Sequence, residues 1–147
     1  MSGKDSLDPP TVVVHGDYLD PFTRAACAAV AEAGGRVEFR HLPRKSGLAA
    51  AVAAEAAREL GAFEPMHERL LAHDGPLTAA DLRRYAEEAG LAPAAFEAAF
   101  GSDAQMARLR ADVEAAGTAD PPALFLDGER LPSYEPGWLR ERFASRR

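Results

Sequence analysis

The run Thr11-Val12-Val13-Val14-His15, followed closely by Asp20-Pro21, constrains this chain more than any other stretch. Four consecutive β-branched residues are stiff at χ1 and pack well in a pleated sheet, so the run predicts a buried central strand. Gly16-Asp17-Tyr18-Leu19 reads as a turn. Asp20 then supplies a carboxylate at the N-cap position, and Pro21 stands at the first helical position, where its fixed φ and missing N–H do no harm. The helix that starts there is expected to bury Phe22, Ala26, Val30 and Ala33 on one face and to end at Gly34-Gly35. From Arg36 to His41, Val37 and Phe39 alternate with polar neighbours, as in a second strand, and Leu42-Pro43 stops it. A strand, a helix and a strand with short joins predict a parallel βαβ unit.

The remainder is ordered as simply. From about Leu48 to Ala116 the pattern is helical throughout, with breaks near Gly61, His73-Asp74-Gly75-Pro76, Gly90 and Gly101-Ser102. Thr78 with Asp81 forms a capping-box variant, and Ser102 makes another helix start. Two strands return at Ala123–Leu126 and Arg130–Leu131 around an Asp127-Gly128 hairpin turn. Glu135 to Ala144 is expected to be a closing helix, with Trp138, Leu139 and Phe143 on its buried face. The order βαβ, helical block, ββα is that of an α/β thioredoxin fold with an all-helical insertion over about 48–116. It predicts one domain over 11–147, preceded by a flexible segment at 1–10.

Charge and cysteine content narrow the function. A net charge of -6 gives no electrostatic reason to expect nucleic acid or an anionic membrane as partner, and Arg146-Arg147 reads as a solvated tail. No apolar run approaches the roughly 18–20 residues of a membrane span, so no membrane insertion is expected. The polar start, with Asp5 and Asp8, lacks the basic and apolar parts of a secretory signal, and the expectation is a cytoplasmic protein. The one cysteine, Cys27, excludes an intramolecular disulfide and a thiolate zinc cage. His67 and His73 lack the i, i+4 spacing of a helical metal pair, and His41 and His67 read as packing or hydrogen-bonding residues. Neither a metal nor a cofactor is expected.

Four segments carry a resemblance: His15 to Thr23, with its Asp17-Tyr18 pair; Val37 to Pro43, with Phe39-Arg40-His41-Leu42-Pro43; Ala49 to Leu71, an alanine-rich helix followed by Gly61-Ala62-Phe63-Glu64-Pro65-Met66-His67; and Gly117 to Gly128. In this order they resemble the DsbA-like thioredoxin-fold proteins, a branch that includes thioredoxin domains fused to some sodium/proton antiporters. In that family an Asp-Tyr pair precedes a Cys-Pro-aromatic-Cys motif, and a cis-proline loop faces it. The resemblance implies that Asp20 and Thr23 stand at the two cysteine positions and that Pro122 matches the cis-proline.

Such members work through a thiolate whose pKa is lowered at the helix N-terminus. Asp20 and Thr23 form no disulfide, so dithiol exchange is expected to be absent. The residues Asp20, Pro21, Phe22 and Thr23 are then a degenerate active site, and an N-cap role accounts for Asp20 on its own. Tyr18, Asp20, Phe22, Pro121 and Pro122 are expected to line the remaining cleft. Pro121 has no N–H with which to grip a peptide or thiol substrate. The reading is a redox-inactive scaffold that acts by binding a protein partner or a second copy of itself. Two alternatives stand beside it. One is a glutathione-dependent enzyme of the same fold, with Thr23 donating a hydrogen bond, although Asp20 would set an anion where the glutathione thiolate belongs. The other is a monothiol function through Cys27, a full helical turn beyond Thr23, against its more ordinary role as a small buried hydrophobe.

Overall fold

The computed structural model describes residues 8–146. Most of the segment expected to be flexible, 1–10, lies outside the described residues, as does Arg147 of the basic tail. Within that segment Pro10 is tied to the sheet, for its carbonyl accepts the Arg36 N–H at 2.7 Å.

Strand β1 (Thr11–Gly16) runs to helix α1 (Pro21–Glu32), which returns to β2 (Arg36–His41). A short 3-10 turn (Lys45–Gly47) leads into α2 (Leu48–Glu59), α3 (Phe63–Ala72), α4 (Ala79–Glu88), α5 (Pro93–Ala99) and α6 (Asp103–Ala116). The chain closes with β3 (Ala123–Leu126), β4 (Glu129–Arg130) and α7 (Pro136–Ala144). The sheet order is β2-β1-β3-β4, with β1 parallel to β2 and antiparallel to β3. This is the expected α/β thioredoxin arrangement with its helical insertion. Val12 and Val14 are fully buried at the centre, as the β-branched run predicted.

Two details depart from expectation. Phe22 is 63% exposed, and Thr23, Ala26, Cys27, Ala29 and Val30 form the buried face of α1. With Asp20 as N-cap, the 100° advance per residue centres the buried stripe on 23, 26, 27 and 30 and rotates Phe22 off its edge. The last strand is Glu129–Arg130, one residue earlier than expected, because Asp127 (φ 52°) and Gly128 (φ 82°) close a two-residue hairpin turn. Leu131 still donates its N–H to Leu124 O at 2.8 Å and is buried.

The insertion is organised by α2. Nearly every side chain from Ala50 to Ala57 is buried, and α2 touches α3, α4, α5 and α6. Alanine makes this feasible: it is the best helix former, and its single methyl lets neighbouring helices approach closely on all sides. The run that blurs the sequence periodicity thus marks a helix with no exposed face to display. At the helix starts, Thr78 and Ser102 complete capping boxes with Asp81 and Gln105.

Candidate functional site

The site grows from the end of β1. A Cβ on Gly16 would lie 2.4 Å from Thr23 Cγ2, so only glycine lets α1 come this near the strand. Asp17 follows, 3% exposed, and its carboxylate accepts N–H groups from Leu19 (3.0 Å) and Arg44 (3.2 Å). It also presses on Gly47, where a Cβ would stand 2.0 Å from Asp17 Oδ1. One buried acid therefore ties the loop before α1 to the turn that opens the insertion.

Asp20 sits at the N-cap of α1, half-buried. Its carboxylate accepts the Phe22 N–H at 3.1 Å and the Thr23 hydroxyl at 3.1 Å. That hydroxyl in turn accepts the Asp17 N–H at 3.1 Å. Thr23 is fully buried. Asp17, Thr23 and Asp20 thus form a closed hydrogen-bonded set at the helix N-terminus, where the free N–H groups and partial positive charge favour an anion. The arrangement corrects one expectation: the Thr23 hydroxyl already has a donor and an acceptor inside the protein and is not free to bind a glutathione thiolate.

Pro121 and Pro122 are half-buried, and the peptide bond between them is cis. They lead directly into β3, where Ala123 pairs with His15, so the two prolines lie beside the end of β1 and the loop carrying Asp20. Tyr18, expected in the cleft, is not there. It is 1% exposed, stacked on Phe39 at 4.8 Å between ring centroids, and bonded to His67 at 2.6 Å. The loop turns this ring inward because Phe39, His41 and His67 offer it an aromatic surround. Burial pushes the Tyr18 phenol well above its usual range, so it remains protonated where it meets His67 Nδ1. His67 is held neutral, its pKa driven down to about 4 by burial and then by His41 and Arg58. Burial also lowers His15, whose ring meets Phe125 edge-on.

Cys27 faces the core of α1, and burial pushes its thiol up to about 12. A buried thiol raised in this way carries little thiolate at neutral pH and fits the small buried hydrophobe of the two expected roles. The other histidines are bonded in place: His73 to Tyr85 Oη at 2.7 Å, and His41 Nε2 to Glu55 at 2.8 Å. Among the described residues no group of three His, Cys, Asp or Glu side chains gathers to hold a metal, and no helix is long and apolar enough to cross a membrane.

Glu55 has no counterpart in the sequence reading. It is 2% exposed within the alanine helix and takes His41, Arg58 Nε at 3.0 Å and Arg108 Nε at 2.9 Å. Burial pushes its carboxyl up, but the hydrogen bonds and charges of His41 and Arg58 outweigh that and hold it below the usual range. It joins β2, α2 and α6 through one side chain. The signal was present as a lone acid in the middle of a run of small apolar residues.

No family model matches the chain. The sodium/proton antiporter NhaA 3 of Salinispora tropica is 38% identical over 134 residues, covering 83% of this chain. Antiporter NhaA 1 of Salinispora arenicola is 37% identical over the same length. The chain spans about a fifth of the length of these curated relatives (21%). Among solved structures, a thioredoxin-like oxidoreductase from Silicibacter pomeroyi is 25% identical with a TM-score of 0.79, over 92% of this chain and 84% of that one. The thiol-disulfide exchange protein α-DsbA2 of Wolbachia pipientis, 15% identical, superposes with a TM-score of 0.80 over 96% of this chain and 83% of its own. The chain has the thioredoxin fold of these DsbA-like structures, with one cysteine and no Cys-x-x-Cys pair.

Proposed function

We propose that this chain is a binding domain built on a thioredoxin scaffold that no longer exchanges disulfides, and that its partner is a sodium/proton antiporter. The observation that carries the reading is the state of Asp20 and Thr23, the two residues that the resemblance sets at the family's cysteine positions. Asp20 caps the helix and Thr23 is buried, each engaged by the other. Two side chains so used leave neither an electron-transfer couple nor an unsatisfied donor. Burial of Cys27 removes the remaining thiol from the chemistry.

Beside them Phe22 projects from the first turn of α1, 63% exposed. An exposed aromatic on a rigid helix start is suited to anchor a protein contact, since aromatic side chains dominate binding energy where they become desolvated. The antiporter is proposed because segments 37–38% identical to this chain occur within the Salinispora antiporters.

The test is co-elution of the chain with a detergent-solubilised antiporter of that kind at micromolar concentration. Binding that Phe22→Asp weakens supports the reading, and no co-elution of the wild type overturns it. A parallel titration with glutathione is expected to show no binding at millimolar concentration. Saturable glutathione binding would favour an enzyme of the same fold instead.

A further inference from the structure

β2 is the outermost strand on its side of the sheet, and among the described residues it pairs with β1 alone. In a parallel pair, alternate residues turn their N–H and C=O groups to the neighbour and the others turn theirs away. Arg36 donates its N–H to Pro10 O and Leu42 donates to Gly16 O, so the even-numbered residues of β2 face β1. The backbone groups of Val37, Phe39 and His41 therefore face outward. At His41 that outward N–H is met, for it donates to Asp112 Oδ2 of α6 at 2.9 Å. A side chain there occupies the place of a further strand's carbonyl. Val37 and Phe39 have no such partner among the described residues.

Outside them lies a cavity of about 370 Å³, floored by β2 and walled by residues of α2, α3 and α6. Its lining holds Arg36, Arg40, Arg58 and Arg108 against Glu38 and Glu64. Arg36 has no carboxylate partner among the described residues, and Arg58 and Arg108 each reach Glu55 through Nε while their remaining N–H groups make no other ion pair there. Arg40 is paired with Glu38 at 2.8 Å, so the cationic surplus of the groove rests on Arg36 and on Arg58 and Arg108, which share the single carboxylate of Glu55.

We propose that this groove receives an extended acidic segment of a partner protein, added as a strand along β2 through the backbone groups of Val37 and Phe39. Main-chain hydrogen bonds supply affinity in such strand addition, and flanking charge selects the sequence. Asp112 sets the limit of the added strand at His41. The groove shares no lining residue with the Asp20 face, and the proposal stands without the reading of that face.

The experiment is amide hydrogen exchange by NMR on the full chain, with a five-residue peptide alternating glutamate and valine and a lysine-valine control. The glutamate peptide is expected to slow exchange at Val37 and Phe39 while leaving the β1-facing amides of Arg36 and Glu38 unchanged. The double variant Arg36→Glu/Arg40→Glu, checked for native circular dichroism, is expected to bind about tenfold more weakly. Equal binding of the lysine peptide, or no protection at millimolar peptide, overturns the proposal. So does slow exchange of Val37 and Phe39 without peptide, which would mean that this chain's own segment or a second copy already covers the edge.

Discussion

Acidification from pH 7.5 to pH 5 should destabilise the fold through His67, and the size of the effect follows from its burial. Its pKa falls from 6.5 to about 4 in the folded state, first because burial disfavours the charged ring and then because His41 and Arg58 add positive potential. The unfolded chain therefore binds a proton near pH 6.5 that the folded chain refuses until about pH 4. The stabilising contribution of neutral His67 is complete above pH 6.5 and is lost as pH falls toward 4. The full shift corresponds to about 3 kcal/mol, of which about 2 kcal/mol is gone by pH 5. The hydrogen bond explains why the ring is placed there at all: Tyr18 Oη and His67 Nδ1 meet at 2.6 Å, so a neutral imidazole and a buried phenol satisfy each other. His67→Gln keeps an acceptor but no titration. Urea unfolding of both proteins at the two pH values gives the difference directly, since His15 and Glu55 titrate alike in each and cancel. The wild type should lose about 2 kcal/mol more than the variant. An equal loss in the two proteins would refute the argument.

Three further outcomes follow from the same geometry. Asp20→Ala removes the N-cap acceptor and the partner of the Thr23 hydroxyl, and thermal melting should show a loss of about 1 kcal/mol. Glu55→Gln keeps the shape but strips a charge from His41, Arg58 and Arg108; because the two arginines can rehydrate, chemical denaturation at pH 7 should show about 2 kcal/mol rather than the larger loss of a fully buried pair. Since the folded Glu55 carboxyl lies below its usual range, its stabilising share is present above about pH 4.5 and lost as pH falls through the lowered value, a dependence the variant should lack. Cys27 should resist thiol-labelling reagents in the native protein and react on unfolding in urea, whereas rapid native labelling would show the thiol to be accessible.

The fold was legible because its signals are local. The β-branched run, the Asp-Pro helix start, the paired glycines and the Asp127-Gly128 turn each act through their own backbone, and each lies where expected or within a residue of it. What escaped depends on which side chains meet across the chain. The resemblance sets Tyr18, in the Asp-Tyr pair before the helix start, at the cleft, yet its ring turns to His67, 49 positions away. The sequence alone points Phe22 into the core because alanines on every side of α1 blur the phase of the buried stripe. Asp17 and Glu55 organise the site and the insertion through partners 27 and 14 residues distant, respectively, which no local pattern announces. The sequence resemblance sets Asp20 and Thr23 at the two cysteine positions of the family. Only the structure reveals that they bond each other.

The most direct test of the account is reduction of insulin disulfides by the pure protein in the presence of dithiothreitol, alongside a Cys-x-x-Cys relative as positive control. With Asp20 and Thr23 at the helix start and Cys27 buried, the rate should equal that of dithiothreitol alone. A rate above that background in proportion to protein concentration would contradict the claim that this scaffold has left disulfide chemistry.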